Sequence, residues 1–351
     1  MQNLAFVSTL GILLLSISIR AFIRLPKQDG QILAAVPIKP CGTAVWNGLN
    51  LTAYGLYNAI AYALAAAITF LLLGSISIPV HTIALVFFAL VIICVPASSI
   101  VARIVEGKQH TLTVGGASFV GIILAPWIVL LASRISTHAG TAPIPVLPVL
   151  SALSIAYTFG EGIGRLACIS FGCCYGRSIQ SLPQHLQTWF APIAFRFVGH
   201  TRKIAYAGNL ENIPVVPIQA MTNLLYLSTG LFTMLLFLHG HFMTACLASL
   251  LITQIWRIVS EWFRADFRGS LRFSAYQRMS LTSILYMAVV LSILSTLEMP
   301  IMPQLRAGLQ TLWHPGILLA LQALFVFAFL FTGRSTVTGS TIKFYVCKER
   351  I

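Results

Sequence analysis

Two short segments each place an arginine and a carboxylate four residues apart in apolar surroundings. The first is Gly160-Glu161-Gly162-Ile163-Gly164-Arg165, and the second runs from Trp256 to Arg264 as WRIVSEWFR. On a helix, residues four apart share a face and can pair. An arginine at the centre of a bilayer helix costs about 2.5–3.5 kcal/mol on insertion scales, so it normally has a partner or a wet cavity. In the second segment Arg257, Glu261 and Arg264 recur at i, i+4 and i+7, which predicts one polar stripe on an apolar helix. One arrangement would use both sites: two guanidinium groups converging on a phosphate through charge-assisted, bidentate hydrogen bonds. Two plainer uses fit the same residues. Arg165, at the end of its apolar run, would snorkel to lipid headgroups. Arg257 and Glu261 would be an ion pair that locks two helices.

A third segment, Phe171-Gly172-Cys173-Cys174-Tyr175-Gly176-Arg177, sets glycines on both sides of a vicinal cysteine pair. Glycines there suit a tight turn where the chain leaves a bilayer, and the amides of such a turn can cradle an anion. The seven cysteines include no CxxC pair and have no histidines at zinc spacing, so neither a metal nor a cofactor is expected. Adjacent cysteines rarely bridge each other, and Cys94 and Cys246 read as small buried apolar residues.

Composition says what kind of scaffold holds these residues. The 351 residues are 58% hydrophobic and 9% charged, against about 25% charged in a soluble domain, and mean hydropathy is +0.88. Several apolar runs reach the roughly 20 residues that cross a bilayer as a helix, and they lack the alternation of a membrane barrel. The expected fold is all-α: a polytopic integral membrane protein with about eight or nine transmembrane helices and a small extramembrane head. The expected spans are 4–22, 54–73, 78–100, 114–131, 144–160, 218–238, 243–263, 279–297 and 316–331. They divide the chain into an extra N-terminal hydrophobic segment and connector (1–50), a membrane domain (51–300) with its head at about 171–216, and an extra C-terminal helix with a basic tail (301–351).

The net charge of +14 would suggest nucleic acid in a soluble protein. Here the basic residues lie between apolar runs, so membrane lipid headgroups are the expected anions and nucleic acid is not a partner. Arginine outnumbers lysine 16 to 6, a bias that suits planar phosphate recognition.

The run from Gly164 to Arg177, GRLACISFGCCYGR, resembles the signature of bacterial prolipoprotein diacylglyceryl transferases. That signature is G-R-x-G-N-F-x-N-x-E-x-x-G-R, with a variant G-R-x-G-C-F-x-x-G-C-C-Y-G. Tyr54-Gly55-Leu56, Gly115 to Phe119, Pro217-Ile218-Gln219 and the block Arg257, Glu261, Arg264, Asp266, Arg268, Gly269 are similar to further family segments, in the family's order. The resemblance runs from about Tyr54 to Leu297. It implies transfer of the diacylglyceryl group of phosphatidylglycerol to the cysteine thiol of a lipobox-bearing prolipoprotein, in the bacterial inner membrane. It also implies that the head faces outward. Arg165 and Arg257 would hold the lipid phosphate, and Glu261 would orient Arg257. Tyr54 would contact the lipid or the leaving group, Gly176 would let the backbone pass close by, and Arg177 and Arg264 would add to substrate binding.

Four positions depart from the family pattern. Val120 stands where the family has its proposed catalytic histidine, Cys168 at the signature asparagine, Cys173 at the signature glutamate, and Val216 at the histidine before Pro-Thr-Gln. His110, His185 and His200 are the available substitutes. Three functions therefore stay open: this transferase, another phospholipid-dependent transferase with altered chemistry, or a lipid-binding or transport protein without catalysis.

Overall fold

The computed structural model describes residues 1–107, 113–138, 140, 142–267, 273–294 and 301–351. Long apolar sequences with no water for their backbone groups close those groups within helices. Among the described residues nine helices are long and apolar enough to cross a membrane. The helices are α1 (Gln2–Arg24), α2 (Ala53–Ser75), α3 (Val80–Glu106), α4 (Val114–His138) and α5 (Val146–Phe171). The head carries the short α6 (Gln184–Phe190) and α7 (Lys203–Tyr206). There follow α8 (Ile218–Leu238), α9 (Phe242–Ser260), α10 (Ala275–Leu294), the short α11 (Leu305–Leu312) and α12 (Pro315–Thr332). The all-α membrane architecture expected from composition is what the chain adopts.

The central element is α5, the most enclosed of the spans, packed against α2, α8 and α9. Small residues let these helices approach closely. A β-carbon at Gly162 would meet Leu227 at 3.1 Å, and one at Gly230 would meet the Phe159 ring at 3.0 Å. Polar side chains add interhelical bonds: Asn223 donates to the Gly162 carbonyl at 2.8 Å, Tyr226 to the Thr253 carbonyl at 3.0 Å, and Ser249 to Ser154 at 2.7 Å.

One expectation is corrected. The fifth span does not end at residue 160 but continues to Phe171, which moves Glu161 and Arg165 from a helix end into its buried interior. The polar residues that lower the hydropathy there face protein rather than lipid. The connector and the basic tail, for which no element was expected, also carry structure. Strands β1 (Ile32–Gly42), β2 (Val45–Thr52) and β3 (Arg334–Lys343) form an antiparallel sheet in the order β1-β2-β3. Thr52 caps α2 by accepting from the Gly55 amide and donates its hydroxyl to the Gly333 carbonyl at 3.0 Å. The start of α2 and the end of α12 touch backbone to backbone at Gly55 and Gly333, where a β-carbon has no room. This contact ties the C-terminal helix to the helix that carries Tyr54.

Candidate functional site

Tyr157, Glu161 and Arg165 follow one another at four-residue intervals along α5 and so share one face. Arg257, one turn before the end of α9, points at the same face. The Glu161 carboxylate sits between the two arginines. Arg165 donates to its Oε1, and Arg257 Nη2 to its Oε2 at 2.6 Å. The Tyr157 hydroxyl donates to Glu161 and accepts from Arg257 Nε at 3.1 Å. All three charged side chains are largely buried.

The charges do not balance: two guanidiniums against one carboxylate leave one buried positive charge. Unpaired charge in the interior is costly. Arg165 Nε is moreover buried with no hydrogen-bond partner among the described residues, a rare condition for a donor of this strength. Gly115, at the start of α4, lets the wall close on this cluster. A β-carbon there would stand 3.3 Å from Arg257 Nη1 and 2.6 Å from the Tyr276 ring. A small crevice, with room for about one water, lies between α4, α9 and α10, lined by Ile122, Leu250, Gln254, Ser283 and Met287 among others. Gln254 is nearly one helical turn from Arg257, and its amide nitrogen is also buried without a partner among the described residues.

At its carboxyl end α5 closes on Gly172 in the left-handed conformation, φ +67°, which a side chain would strain. The Gly172 amide donates to the Ile169 carbonyl at 3.2 Å and the Cys173 amide to the Cys168 carbonyl at 3.1 Å. Cys174 follows, also left-handed at φ +54°. This turn folds Cys173 and Cys174 back onto Cys168, and the three Sγ atoms lie within 4.8 Å of one another. Hydrogen bonds with Cys168 and Cys174, then burial, push the Cys173 thiol well above the usual thiol range. Burial alone would lower the neighbouring Lys203 ammonium, but the fields of Cys173, Cys174 and Asp266 hold it above its usual range. Tyr54 packs edge-on against Phe171, ring centroids 5.7 Å apart, within electrostatic reach of the same three cysteines.

The remaining residues divide differently from the sequence expectation. The polar stripe on α9 breaks after Ser260, where Glu261–Phe263 turn into a tighter helix and Arg264 becomes extended. Glu261 accordingly lies near Ser274 (3.4 Å) and Arg264 (4.0 Å), and Arg257 takes Glu161 instead. Arg264 is engaged by Asp266 through two bonds of 2.8 Å. Gly176 bridges to Arg264 and packs so tightly on Val216 that a β-carbon would stand 2.8 Å from the Val216 β-carbon. Arg177 is exposed, with its Nε 3.4 Å from the Arg264 carbonyl. His185 and His200 are exposed on the head. His110, Arg268 and Gly269 lie outside the described residues.

Two participants escaped the sequence reading. Tyr157 was signalled by its spacing of four from Glu161. Arg202 lies in the polar head segment, where a basic residue is ordinarily solvated, yet it is fully buried. It donates to the Ser170 carbonyl at 2.5 Å, the Ile169 carbonyl at 3.3 Å, the Val198 carbonyl at 2.8 Å and the Lys27 carbonyl. It thereby caps the carboxyl end of α5, where a cation meets the negative pole of the helix. Burial pushes its guanidinium down to about 10.

A family model described as prolipoprotein diacylglyceryl transferase matches residues 43–297. A search of curated proteins finds no match. The matched segment spans α2 to α10 and includes Arg165, Arg257, Glu161 and the cysteine turn. The chain belongs to the prolipoprotein diacylglyceryl transferase family.

Proposed function

We propose that this family member transfers the diacylglyceryl group of phosphatidylglycerol to the cysteine thiol of a prolipoprotein, at the outer face of a bacterial inner membrane. The observation that carries the reading is the excess positive charge of the Arg165–Glu161–Arg257 cluster, with the Arg165 Nε donor left over inside the protein. A phosphodiester would supply the missing negative charge and the missing acceptor.

In this reading Glu161 braces the two guanidiniums, the part the sequence had given to Glu261, and Tyr157 fixes the carboxylate. The acceptor thiol gives up its proton to solvent, its sulfur attacks the diacylglycerol carbon bonded to the phosphate oxygen, an S–C bond forms, that C–O bond breaks and glycerol phosphate leaves. Charge grows on the departing phosphate, so preset arginines stabilise the transition state more than the ground state. Tyr54, Gly176, Arg177 and Arg264 would shape the mouth of the site on the head side.

The test is transfer of diacylglyceryl from phosphatidylglycerol to a lipobox peptide by the purified protein. Product from wild type and none from Arg165→Ala or Arg257→Ala supports the reading. Equal product from all three sinks the assignment of these arginines. A second reading, altered chemistry on the same lipid, draws on Val120, Cys168 and Cys173 standing at the family's proton-handling positions. A folded wild type that binds phosphatidylglycerol but lipidates no thiol would favour it.

A further inference from the structure

Cys168, Cys173 and Cys174 place three soft ligands around one point, with no imidazole or carboxylate in the group. The Sγ atoms of Cys168 and Cys174 are 3.9 Å apart. A tetrahedral ion with Zn–S bonds of about 2.3 Å holds its sulfurs about 3.8 Å apart, so this pair is already at ligand spacing. The scaffold is set beforehand by the left-handed Gly172 and Cys174 and by the Gln219 amide, which donates to the Cys173 carbonyl at 2.9 Å. Arg165 acts electrostatically on Cys168 and Cys174, Lys203 on Cys173 and Cys174, and Arg264 on Cys174. These cations offset the charge of a three-thiolate site. The three residues are half-buried, beside the turn that leaves α5.

We infer that the three cysteines hold a soft divalent ion of the zinc type, and that its fourth position takes the thiolate of the acceptor cysteine. Thiolate ligands select such ions over hard ones. Three protein ligands with one open position is the arrangement of a reactive zinc site, whereas structural sites are closed by a fourth ligand. The inference deepens the proposed transfer reaction and rests on it for its chemistry, since Val120 offers no base for the acceptor thiol. Coordination removes that thiol's proton to solvent. The bound sulfur's electron pair then forms the S–C bond while the C–O electrons leave on the phosphate oxygen. A neutral thioether binds the ion weakly and departs, and the ion is unchanged.

The experiment uses full-length protein in detergent under a reducing agent that does not bind metal, with Zn2+ and then Co2+ as probes. Wild type is expected to bind one ion per chain, and Co2+ to give the absorption of a tetrahedral thiolate site. Cys168→Ser, Cys173→Ser and Cys174→Ser are each expected to weaken binding at least tenfold, and Cys94→Ser to leave it unchanged. A lipobox peptide with one cysteine should alter the Co2+ spectrum, and its serine analogue should not. No binding by wild type beyond that of the triple serine variant, both folded by thermal melt, overturns the inference. A spectrum indifferent to the cysteine peptide also overturns it, even if lipid transfer proceeds. A spectrum that responds, without any lipid transfer, upholds the metal site and instead removes the proposed transfer reaction.

Discussion

Arg165 and Arg202 are both buried against α5, one inside the helix and the other across its carboxyl end, and they are accommodated in different ways. Arg202 meets four backbone carbonyls that are already in place. Its acceptors are neutral, fixed and internal, so it serves as a clamp between the head, the end of α5 and the connector at Lys27. Arg165 shares a single carboxylate with Arg257, and one of its donors is left over. Burial is the same in kind, but satisfaction is not. The difference teaches that burial alone does not mark a functional arginine, whereas a buried donor without an acceptor, in a cluster of net positive charge, does.

The comparison can be broken or sharpened by mutation. Glu161→Gln leaves two buried guanidiniums without their carboxylate, and breaking such a pair costs about 3–5 kcal/mol. A large drop in thermal stability in detergent is expected, partly restored by added phosphatidylglycerol. Arg165→Ala is expected to lower transfer by about 10²–10³-fold, which corresponds to about 2.7–4 kcal/mol, with little change in the melting temperature. Arg202→Ala should show the reverse pattern. Carbonyls left without their donor cost about 1–3 kcal/mol, seen as a lower melting temperature, while turnover per folded molecule stays at the wild-type level. Tyr157→Phe removes one hydroxyl from the cluster, and a loss of about 0.5–1.5 kcal/mol is expected in stability. If Arg202→Ala abolished transfer while leaving stability intact, the division between clamp and site would fail.

Much of the scaffold was legible because hydropathy reports span length directly. The span at 218–238 agrees to the residue with α8. Legibility failed where polar residues are buried in protein. Gly160, Glu161, Gly162, Gly164 and Arg165 lowered the hydropathy of α5, and the sequence alone could not show that α2, α8 and α9 enclose them. The sheet was missed because β2 pairs with β3 almost three hundred residues away, and nothing local in the connector predicts that partner. In the site, both arginines were found from the cost of placing them in a membrane. Spacing also paired Glu161 with Arg165, as the structure has it, but its second partner, Arg257, was not legible, because spacing favoured Glu261 there and the break in α9 at Ser260 is a tertiary effect. The cysteine triad was hidden for a different reason. Cys168 and the vicinal pair are five residues apart, no zinc spacing, and only the left-handed turn at Gly172 brings them together.

The central claim is that the Arg165–Glu161–Arg257 cluster is completed by a lipid phosphate, and it is tested most directly by phosphatidylglycerol binding to the purified protein. Saturable binding by wild type and Arg202→Ala, weakened at least tenfold in Arg165→Ala, is the predicted result. Equal binding by Arg165→Ala and wild type would contradict it.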